Sequence, residues 1–489
     1  KDELLIDFEW PHHYLFFIEK DPLGIYAKKQ TTYKKFIINK PKDAGFYHDK
    51  KISIDKDAEK QNEQFWLENR HDSLTKEENF IYNMVDSLKE IPVIRTYTDV
   101  IQTIITGYKV LGKVELGEYT SLYSYNLVEG NRFRVAMRTS NNFSKKIELS
   151  CFTAYGLNDE KFKYGLGTRF FITKEPRRLV NAVYKNDVEQ LGLSSNAFNN
   201  TGIVSSFFRR NPFNKMLFNE QLLIKYERFW EKGITANLLF RHSKIDPLGI
   251  MNFTSINNET LGPIRTNEIS CQLRFAIGEE FIKGEFEQLS LGTKHPTFSI
   301  DYTKSIPGIL SANLNYQKLK LEYFQEIKMN LLGKFNYQII AGKIWGNVPY
   351  PLLEIHPGNE TWSFNKVAFN MMNIGEFISD SYIVLKTEQH FEGLLFNKIP
   401  LLSKCQIREV VGFQGVYGSL SDRHDSQMLL PSFSSSLKNK PYMEATAGME
   451  NIFKFLRIDC VWRLSYLNNT FEEIKVSPFG VRGTIQFEF

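Results

Sequence analysis

Histidines and carboxylates are the side chains in this sequence from which a catalytic or metal site could be built. The nine histidines include an adjacent pair, one near acidic residues in the longest predicted loop, and two isolated ones: His12 and His13, His356 near Glu354 and Glu360, and His390 and His424. No His-Glu-x-x-His, Gly-x-Ser-x-Gly, phosphate-loop or dinucleotide-binding pattern occurs. The sequence therefore predicts no enzyme, no metal site and no cofactor. A hydrolase whose scattered residues include Glu354 and His356 is an alternative that stays open.

A second set of chemically active side chains is a group of charges that strand alternation places on one face. The group comprises Arg132, Arg134, Arg138, Lys163, Arg169, Arg274, Asp301, Arg457, Asp459, Arg463, Arg482 and Glu488. Cations outnumber carboxylates in it, and a lumen lined in this way would attract anions. The alternative, which we favour, is a ladder of cross-strand ion pairs that holds the wall together.

The elements that must position these charges are β-strands. In the last strand, Val481, Ile485, Phe487 and Phe489 share one face, while Arg482, Thr484, Gln486 and Glu488 share the other. The same alternation recurs near residues 132–138, 269–277, 298–303 and 456–466, with charges on one face only. We predict an all-β protein, a transmembrane antiparallel β-barrel of about sixteen strands, with Phe487 and Phe489 as its C-terminal barrel signal. A soluble β-sandwich is the alternative.

Composition supports the barrel and narrows the partners. With 61 Lys and Arg against 56 Asp and Glu, the net charge of +5 does not indicate a nucleic-acid binder. Aromatic residues make up 14% of the chain, as interfacial girdles would require. The expected partners are therefore outer-membrane lipids, including lipopolysaccharide. Four cysteines fall in separate predicted strands without metal spacing: Cys151, Cys271, Cys405 and Cys460. We expect them to be small apolar residues on strand faces, with structural disulfides as the alternative.

The chain is predicted to divide at about residue 117. Residues 1–117 form a small periplasmic αβ segment with two helices near 75–107, the first opened by a capping box at Thr75 and Glu78 and the second by Thr98 or Asp99. Residues 118–489 form the barrel, with long loops outside and short turns in the periplasm, the 278–295 connection being an exception that indicates either a slipped strand count or an insertion. The 345–378 loop folds inward as a plug or forms an external lid or docking surface. Because the chain begins at Lys1, we interpret it as a trimmed, exported product.

A family resemblance is visible around Tyr123–Arg134, which reads YSYNLVEGNRFR, with Thr139, Phe143 and 154–156 downstream. This stretch, and the upstream one from Trp66 to Gly112, resembles a Bacteroidota outer-membrane family of unknown function over residues 60–489. Members of that family commonly carry a carboxypeptidase-regulatory-like module before the barrel, which this sequence does not show.

The barrel is also distantly similar to the bacterial surface-antigen superfamily, whose sixteen-stranded members insert or translocate outer-membrane proteins. Those proteins carry a Val-Arg-Gly-aromatic motif in an inward loop between strands eleven and twelve. Here Val481, Arg482 and Gly483 stand in the last strand instead.

The resemblance implies a monomeric outer-membrane barrel of a Gram-negative bacterium that assists insertion, assembly or translocation of outer-membrane or surface proteins. It would act in a complex with other outer-membrane proteins or lipoproteins. A channel or transport accessory for small solutes is the first alternative, and a barrel-embedded hydrolase is the second.

Overall fold

The structure is a computed structural model. It describes residues 8–9, 28–29, 62–69, 73–90, 96, 100, 103 and 106–486, apart from 193–208, 212–213, 231–232, 285, 439 and 472–473. The chain divides into two compact units, Lys1–Thr98 and Asp99–Phe489.

Among its described residues, the first unit has two short strands and two helices: β1 (Phe8–Glu9), β2 (Lys28–Lys29), α1 (Glu63–Asn69) and α2 (Lys76–Glu90). The predicted capping box is confirmed, since the Glu78 amide donates to Thr75 Oγ1 at 3.2 Å and the Thr75 amide donates to Glu78 Oε2 at 2.8 Å. The second predicted helix, from Thr98 or Asp99 to Gly107, lies largely outside the described residues. None of the described helices is long and apolar enough to cross a membrane.

The second unit is almost entirely β-structure. Its strands are β3 (Tyr108–Leu111), β4 (Val114–Gly117), β5 (Tyr123–Asn126), β6 (Gly130–Thr139), β7 (Ile147–Gly156), β8 (Phe162–Thr173), β9 (Arg178–Gln190), β10 (Lys215–Trp230), β11 (Ile234–Gly249), β12 (Ile264–Ala276), β13 (Glu280–Lys283), β14 (Gln288–Gly292), β15 (Thr297–Ser305), β16 (Gln317–Lys328), β17 (Lys334–Trp345), β18 (Glu354–Ile355), β19 (Ile378–Ser379), β20 (Ser381–His390), β21 (Arg408–Ser419), β22 (Tyr442–Ile452), β23 (Leu456–Arg463), β24 (Thr470–Phe471), β25 (Ile474–Lys475) and β26 (Phe479–Ile485). One short α-helix, α3 (Pro400–Lys404), lies between β20 and β21.

Eighteen of these strands form one antiparallel barrel sheet, in which strands that are consecutive in the chain are neighbours. The short strands β4 and β5 pair with the two ends of the same strand, β6, so together they occupy one position in the wall. With the short β3 set aside, sixteen positions remain, in agreement with the predicted number. The sheet begins at Tyr108, within the range that the sequence assigned to the N-terminal segment.

Alternation decides which way each side chain faces. On β6, Phe133, Val135 and Met137 are about half exposed, whereas Arg132 and Ala136, which alternate with them, are buried. On β26, Val481 and Ile485 are exposed while Arg482 is buried. Period-two alternation with an apolar outer face and a polar interior is the pattern of a transmembrane barrel, so the predicted fold class is confirmed.

The connections differ between the two ends of the barrel. The long-loop end carries the connections after β9, β11, β15, β17, β21 and β23, and the short-turn end carries most of the others. The strand order places β26 next to β3, but among the described residues no strand register joins β26 to β3, β4 or β5. We call this junction the seam.

Candidate functional site

The longest ordered connection of the barrel, residues 346–380 between β17 and β20, is folded into a compact and largely buried unit that we call the plug. Two short strands within it, β18 and β19, pair with each other and place Ile355 opposite Ile378. Phe369, Met372 and Phe377 within it are fully buried. An external solvated loop would not bury this much apolar surface, so the geometry favours the inward plug over the external lid.

The plug contacts inward-facing side chains on opposite walls of the lumen. On one wall, Lys215 of β10 lies 3.3 Å from Glu360 of the plug, and both side chains are buried. On another, Lys386 of β20 donates to the carbonyl oxygen of Lys366 at 3.3 Å. Since β10 and β26 stand ten positions apart around the wall, and the plug also contacts β26, it spans the lumen.

Glu444 of β22 is the centre of the plug's attachment. One carboxylate oxygen accepts from the Met371 amide at 2.7 Å and the other from the Asn370 amide at 2.8 Å. The Tyr442 hydroxyl and the Gln414 amide also donate to it, at 2.6 and 3.0 Å. Four donors on one fully buried carboxylate form a saturated, charge-assisted site, so this wall residue fixes the backbone of the plug at two consecutive positions.

Two arginines attach the plug to the last strands. Arg463 of β23 makes a bidentate pair with Glu376, at 2.7 and 3.2 Å. Arg482 of β26 donates from Nε and Nη2 to the Asn370 carbonyl oxygen, at 3.2 and 2.9 Å. The planar guanidinium suits such two-point recognition, so the plug is oriented as well as anchored.

An apolar cluster covers the lumen at the long-loop end, and we call it the dome. It joins residues of the plug and of other long loops with strand ends of the wall. The plug contributes Val348, Tyr350, Leu352, Leu353, Ile355 and Ile378, and the other members are Leu191, Leu217, Met251, Phe253, Ile264, Tyr316, Ile344 and Met428. Burial of so many large side chains in one cluster makes a packed core. The dome and the plug together obstruct the lumen at this end.

The predicted catalytic alternative, Glu354 and His356, lies in the plug. His356 is buried, its Nε2 lies 2.9 Å from Ser379 Oγ, and its ring packs edge-on against Tyr382. Burial lowers the pKa of His356 to about 3, so the ring is neutral. Burial also raises the pKa of Glu354 above its ordinary value. These contacts are those of a packed core, and among the described residues no His, Cys, Asp and Glu side chains cluster in a way that could hold a metal ion.

The plug joins β20 at Asp380, a polar junction that we call the hinge because it links the two segments. Its Oδ2 accepts from Ser421 Oγ at 2.6 Å and lies 3.2 Å from His424 Nε2. Burial alone would raise the pKa of Asp380, but the hydrogen bonds from Ser421 and His424 lower it, so the carboxylate stays ionised. The hinge fixes the end of the plug to the 420–441 loop.

The charges predicted to line the lumen lie on the polar face and mostly in ion pairs. The pairs are Arg132 with Glu129 and Asp187, Arg134 with Glu118, Arg138 with Glu115, Lys163 with Glu129 and Asp159, Arg169 with Glu148 and Glu287, Arg274 with Glu279, Arg457 with Asp459 and Glu388, and Arg463 with Glu376. Asp301 accepts from Gln272 at 2.7 Å. Glu488, Phe487 and Phe489 lie outside the described residues. Because most of these cations are neutralised, the geometry favours the ion-pair ladder over an anion-attracting lumen.

The family-like stretch YSYNLVEGNRFR forms the β5–β6 hairpin, and Glu129 at its turn is fully buried. Glu129 accepts from Asn126 Nδ2 at 2.8 Å, from Arg132 at 3.1 Å and from Lys163 at 2.9 Å. Burial alone would raise the pKa of Glu129, but Arg132 and Lys163 hold it below its ordinary value. Gly130 adopts a φ of 67°, which favours glycine. The motif therefore has a structural role, because it holds the β5–β6 hairpin against β8.

The 277–296 connection is an insertion and not a slipped strand count. It forms the β13–β14 hairpin at the short-turn end, which we call the inner hairpin. Its tip reaches the β6–β9 wall, where Phe286 is buried and stacks on Phe171 at 5.8 Å between ring centroids. Glu287 pairs with Arg169 at 2.9 Å. The inner hairpin therefore extends across the short-turn end.

Phe286→Ala is expected to release the inner hairpin, because burial of a phenylalanine ring stabilises docking by about 2 kcal/mol. Trypsin cleavage of the purified barrel after Lys283 and Lys294 should accelerate. Glu287→Gln is the matched control, since the side chain of Glu287 is 66% exposed and such pairs contribute below about 1 kcal/mol. Faster cleavage of Glu287→Gln than of Phe286→Ala would contradict the view that the burial of Phe286 docks the inner hairpin.

The sequence did not predict which residues form the contacts between the plug and the wall. Glu376, Glu360 and Asn370 lie in a loop without periodicity, so no pattern assigns them a direction. Glu444 alternates correctly with its neighbours, and that was the available signal, but nothing marked it as the plug's main anchor. The pairings of Glu360, Glu376 and Glu444 could be recognised only once the path of the loop was known.

The geometry defines a class of protein, a transmembrane β-barrel whose lumen is filled by its own plug and covered by a dome. Residues 103–424 match the model described as "Family of unknown function (DUF5686) C-terminal domain". The chain belongs to this family, which confirms the prediction of a family of unknown function. The bacterial phylum stays a prediction.

Solved structures give more distant likenesses. BamA from Haemophilus ducreyi lacking POTRA domains 1–3 is 10% identical, with 74% of this chain and 69% of that chain covered and a TM-score of 0.45. CdiB from Acinetobacter baumannii is 12% identical, with 76% of this chain and 59% of that chain covered and a TM-score of 0.37. The outer membrane protein OprD from Pseudomonas aeruginosa is 7% identical, with 73% of this chain and 86% of that chain covered and a TM-score of 0.31. None of the curated proteins matches the chain.

Proposed function

We propose that the protein assists insertion, assembly or translocation of outer-membrane or surface proteins, with its long-loop end outside and its short-turn end in the periplasm. The observation that carries this proposal is the seam. Unpaired backbone groups at a strand edge are costly within a bilayer, and among the described residues the seam-facing edge of β26 has no ladder with another barrel strand. A sideways route into the membrane for a β-strand is the function that such an edge serves.

The obstructed lumen supports the same proposal over the solute channel. The dome closes the long-loop end with apolar packing, and the plug attaches to both walls through Lys215, Glu444 and Arg463. An aqueous path along the barrel axis would have to displace both. We therefore expect purified wild-type protein to give no steady conductance in a planar bilayer, and steady conductance would favour the channel alternative.

The direct test is quantitative proteomics of purified outer membranes after depletion of the protein. Broad loss of β-barrels or surface lipoproteins, restored by re-expression of the wild-type chain, is the expected result. An unchanged outer-membrane proteome with a narrow nutrient or permeability defect would exclude the assembly function. Co-purification of other outer-membrane proteins or lipoproteins from the same membranes would support action in a complex.

A further inference from the structure

The last strand presents backbone groups to the seam at alternate residues. In an antiparallel ladder, successive residues direct their N–H and C=O groups to opposite sides. The Gln486 amide donates to the Phe455 carbonyl at 2.7 Å and the Arg463 amide to the Pro478 carbonyl at 2.9 Å. Even-numbered residues of β26 therefore face β23, and Gly483 directs its backbone N–H and C=O to the seam.

The plug occupies this edge. The Gly483 amide donates to the Trp362 carbonyl and the Phe364 amide donates to the Gly483 carbonyl, each at 3.0 Å. Ser363 thereby forms a parallel β-bridge with Gly483. We call Trp362–Phe364 the cap. At the preceding seam-facing position, the Arg482 guanidinium donates to the Val481 carbonyl at 2.9 Å. The chain's own groups thus fill edge positions that another strand would otherwise use.

The cap is held in an extended form from the plug side. Asn359 Nδ2 donates to the Ser363 carbonyl at 2.7 Å, and the Ser363 amide donates to Thr361 Oγ1 at 3.2 Å. The ring of Phe364 lies 4.5 Å from the Arg457 guanidinium. The far edge of the cap is therefore satisfied by side chains, and the cap ends the sheet instead of extending it.

The cap belongs to an exposed part of the plug that also includes Lys366 and Val367. Trp362 is 51% exposed and Ser363 is exposed, whereas Ala368 and Met372 are buried. Only two backbone hydrogen bonds join the cap to β26. A longer strand aligned along Val481–Ile485 would form more of them, because each additional residue pair adds to the ladder.

We propose that the seam edge of β26 is a binding site for an extended segment of another polypeptide, and that the cap is a built-in competitor which leaves Gly483 before that segment binds. The segment would alternate apolar and polar residues, to match Val481 and Ile485 on the lipid side and Arg482 and Thr484 on the lumen side. This inference rests on the proposed function and adds the site and its internal control.

The test uses the purified full chain and a labelled synthetic peptide with the alternating sequence of residues 479–487. Phe364→Pro removes the amide that donates to Gly483, while the matched control, Phe364→Ala, keeps the amide and removes the ring. The peptide is expected to bind Phe364→Pro roughly tenfold more tightly than the wild type or Phe364→Ala. Equal binding to all three, with Phe364→Pro keeping the gel mobility of a folded barrel, would overturn the proposal.

A reversible lock gives a second test that does not depend on the folding of Phe364→Pro. A Cβ at residue 483 would meet only the Arg457 carbonyl at 3.8 Å, and paired β-residues lie within disulfide range. Oxidised Ser363→Cys/Gly483→Cys protein should lose peptide binding and recover it on reduction. Either single-cysteine variant controls for the native cysteines. Equal peptide binding by the oxidised and the reduced protein would refute the role of the cap as a competitor.

Two outcomes separate this inference from the proposed function. A disulfide between Gly483→Cys and Val110→Cys after cap release, with no peptide bound, would show that the chain's own β3–β4 hairpin takes the edge, against the proposal. Peptide binding that follows the cap, together with an unchanged proteome on depletion, would instead remove the assembly function and leave the strand-binding edge established.

Discussion

Arg463→Met is expected to lower the free energy of unfolding of the barrel by about 3–5 kcal/mol, because it leaves a buried carboxylate without its cation. Arg463 is 2% exposed and Glu376 is 3% exposed, and their pair is bidentate. Glu376 would retain only the Asn373 amide and side-chain donors, at 2.9 and 3.2 Å. Urea unfolding in detergent, followed by tryptophan fluorescence, measures the change.

A double-mutant cycle separates the pair from general loss of packing. Glu376→Gln keeps an acceptor for Asn373 and removes the charge, so Arg463→Met/Glu376→Gln should be less destabilised than the sum of the two single changes. The expected coupling is about 1.5–3 kcal/mol, within the range for residues of one network. Additive effects would mean that Arg463 acts through its contacts with Tyr466 and Tyr442 and not through Glu376.

Strand alternation carried most of the information that the sequence contained about the wall. The predicted strands near 132–138, 298–303 and 456–466 correspond to β6, β15 and β23, and the last ends three residues earlier than predicted, at Arg463. A strand has a period of two wherever one face meets lipid and the other meets polar groups. The facing of Arg457, Asp459 and Arg463 followed from that alone.

The plug could not be derived in the same way, because its fold is fixed by contacts that are distant in sequence. Glu376 pairs with a residue 87 positions later, and Glu360 with one 145 positions earlier. A loop of this kind has no period and no register of its own. Its aromatic and proline content indicated only that it is not a plain solvated loop, which left lid and plug as alternatives until the wall was in place.

The cap lay beyond sequence reasoning for a related reason. Which residues of β26 face the seam depends on the hydrogen-bonded register with β23, and register is not readable from alternation, since a shift of two residues preserves both faces. The Val-Arg-Gly stretch at 481–483 was noted for standing in the last strand. The structure gives its residues separate tasks: Arg482 holds the Asn370 carbonyl, and Gly483 pairs with the cap.

Gly358→Ala is expected to displace the plug without touching the wall. A Cβ at residue 358 would lie 2.3 Å from the Asn373 carbonyl oxygen and 2.7 Å from that of Met372. Both contacts are with backbone atoms, which cannot rotate away, so the cost should approach the upper end of overpacking penalties, about 3 kcal/mol. The hydrogen bond from the Asn359 amide to Met372, at 2.9 Å, would break with it. Proteinase K cleavage between residues 358 and 373 should then appear.

Gly262→Ala is the matched control, because its added Cβ meets no atom within 4 Å and a surface change of this kind stays within about 0.5 kcal/mol. If Gly358→Ala opens the plug, steady conductance that the wild type and Gly262→Ala lack would show that the plug blocks the lumen. Cleavage without conductance would assign the block to the dome, where Phe253 packs against Tyr350, a plug residue that precedes the cleaved segment. If Gly358→Ala protein shows neither cleavage nor conductance, the plug accommodates the added methyl group. Its close packing at Asn373 would then not be what holds it in place.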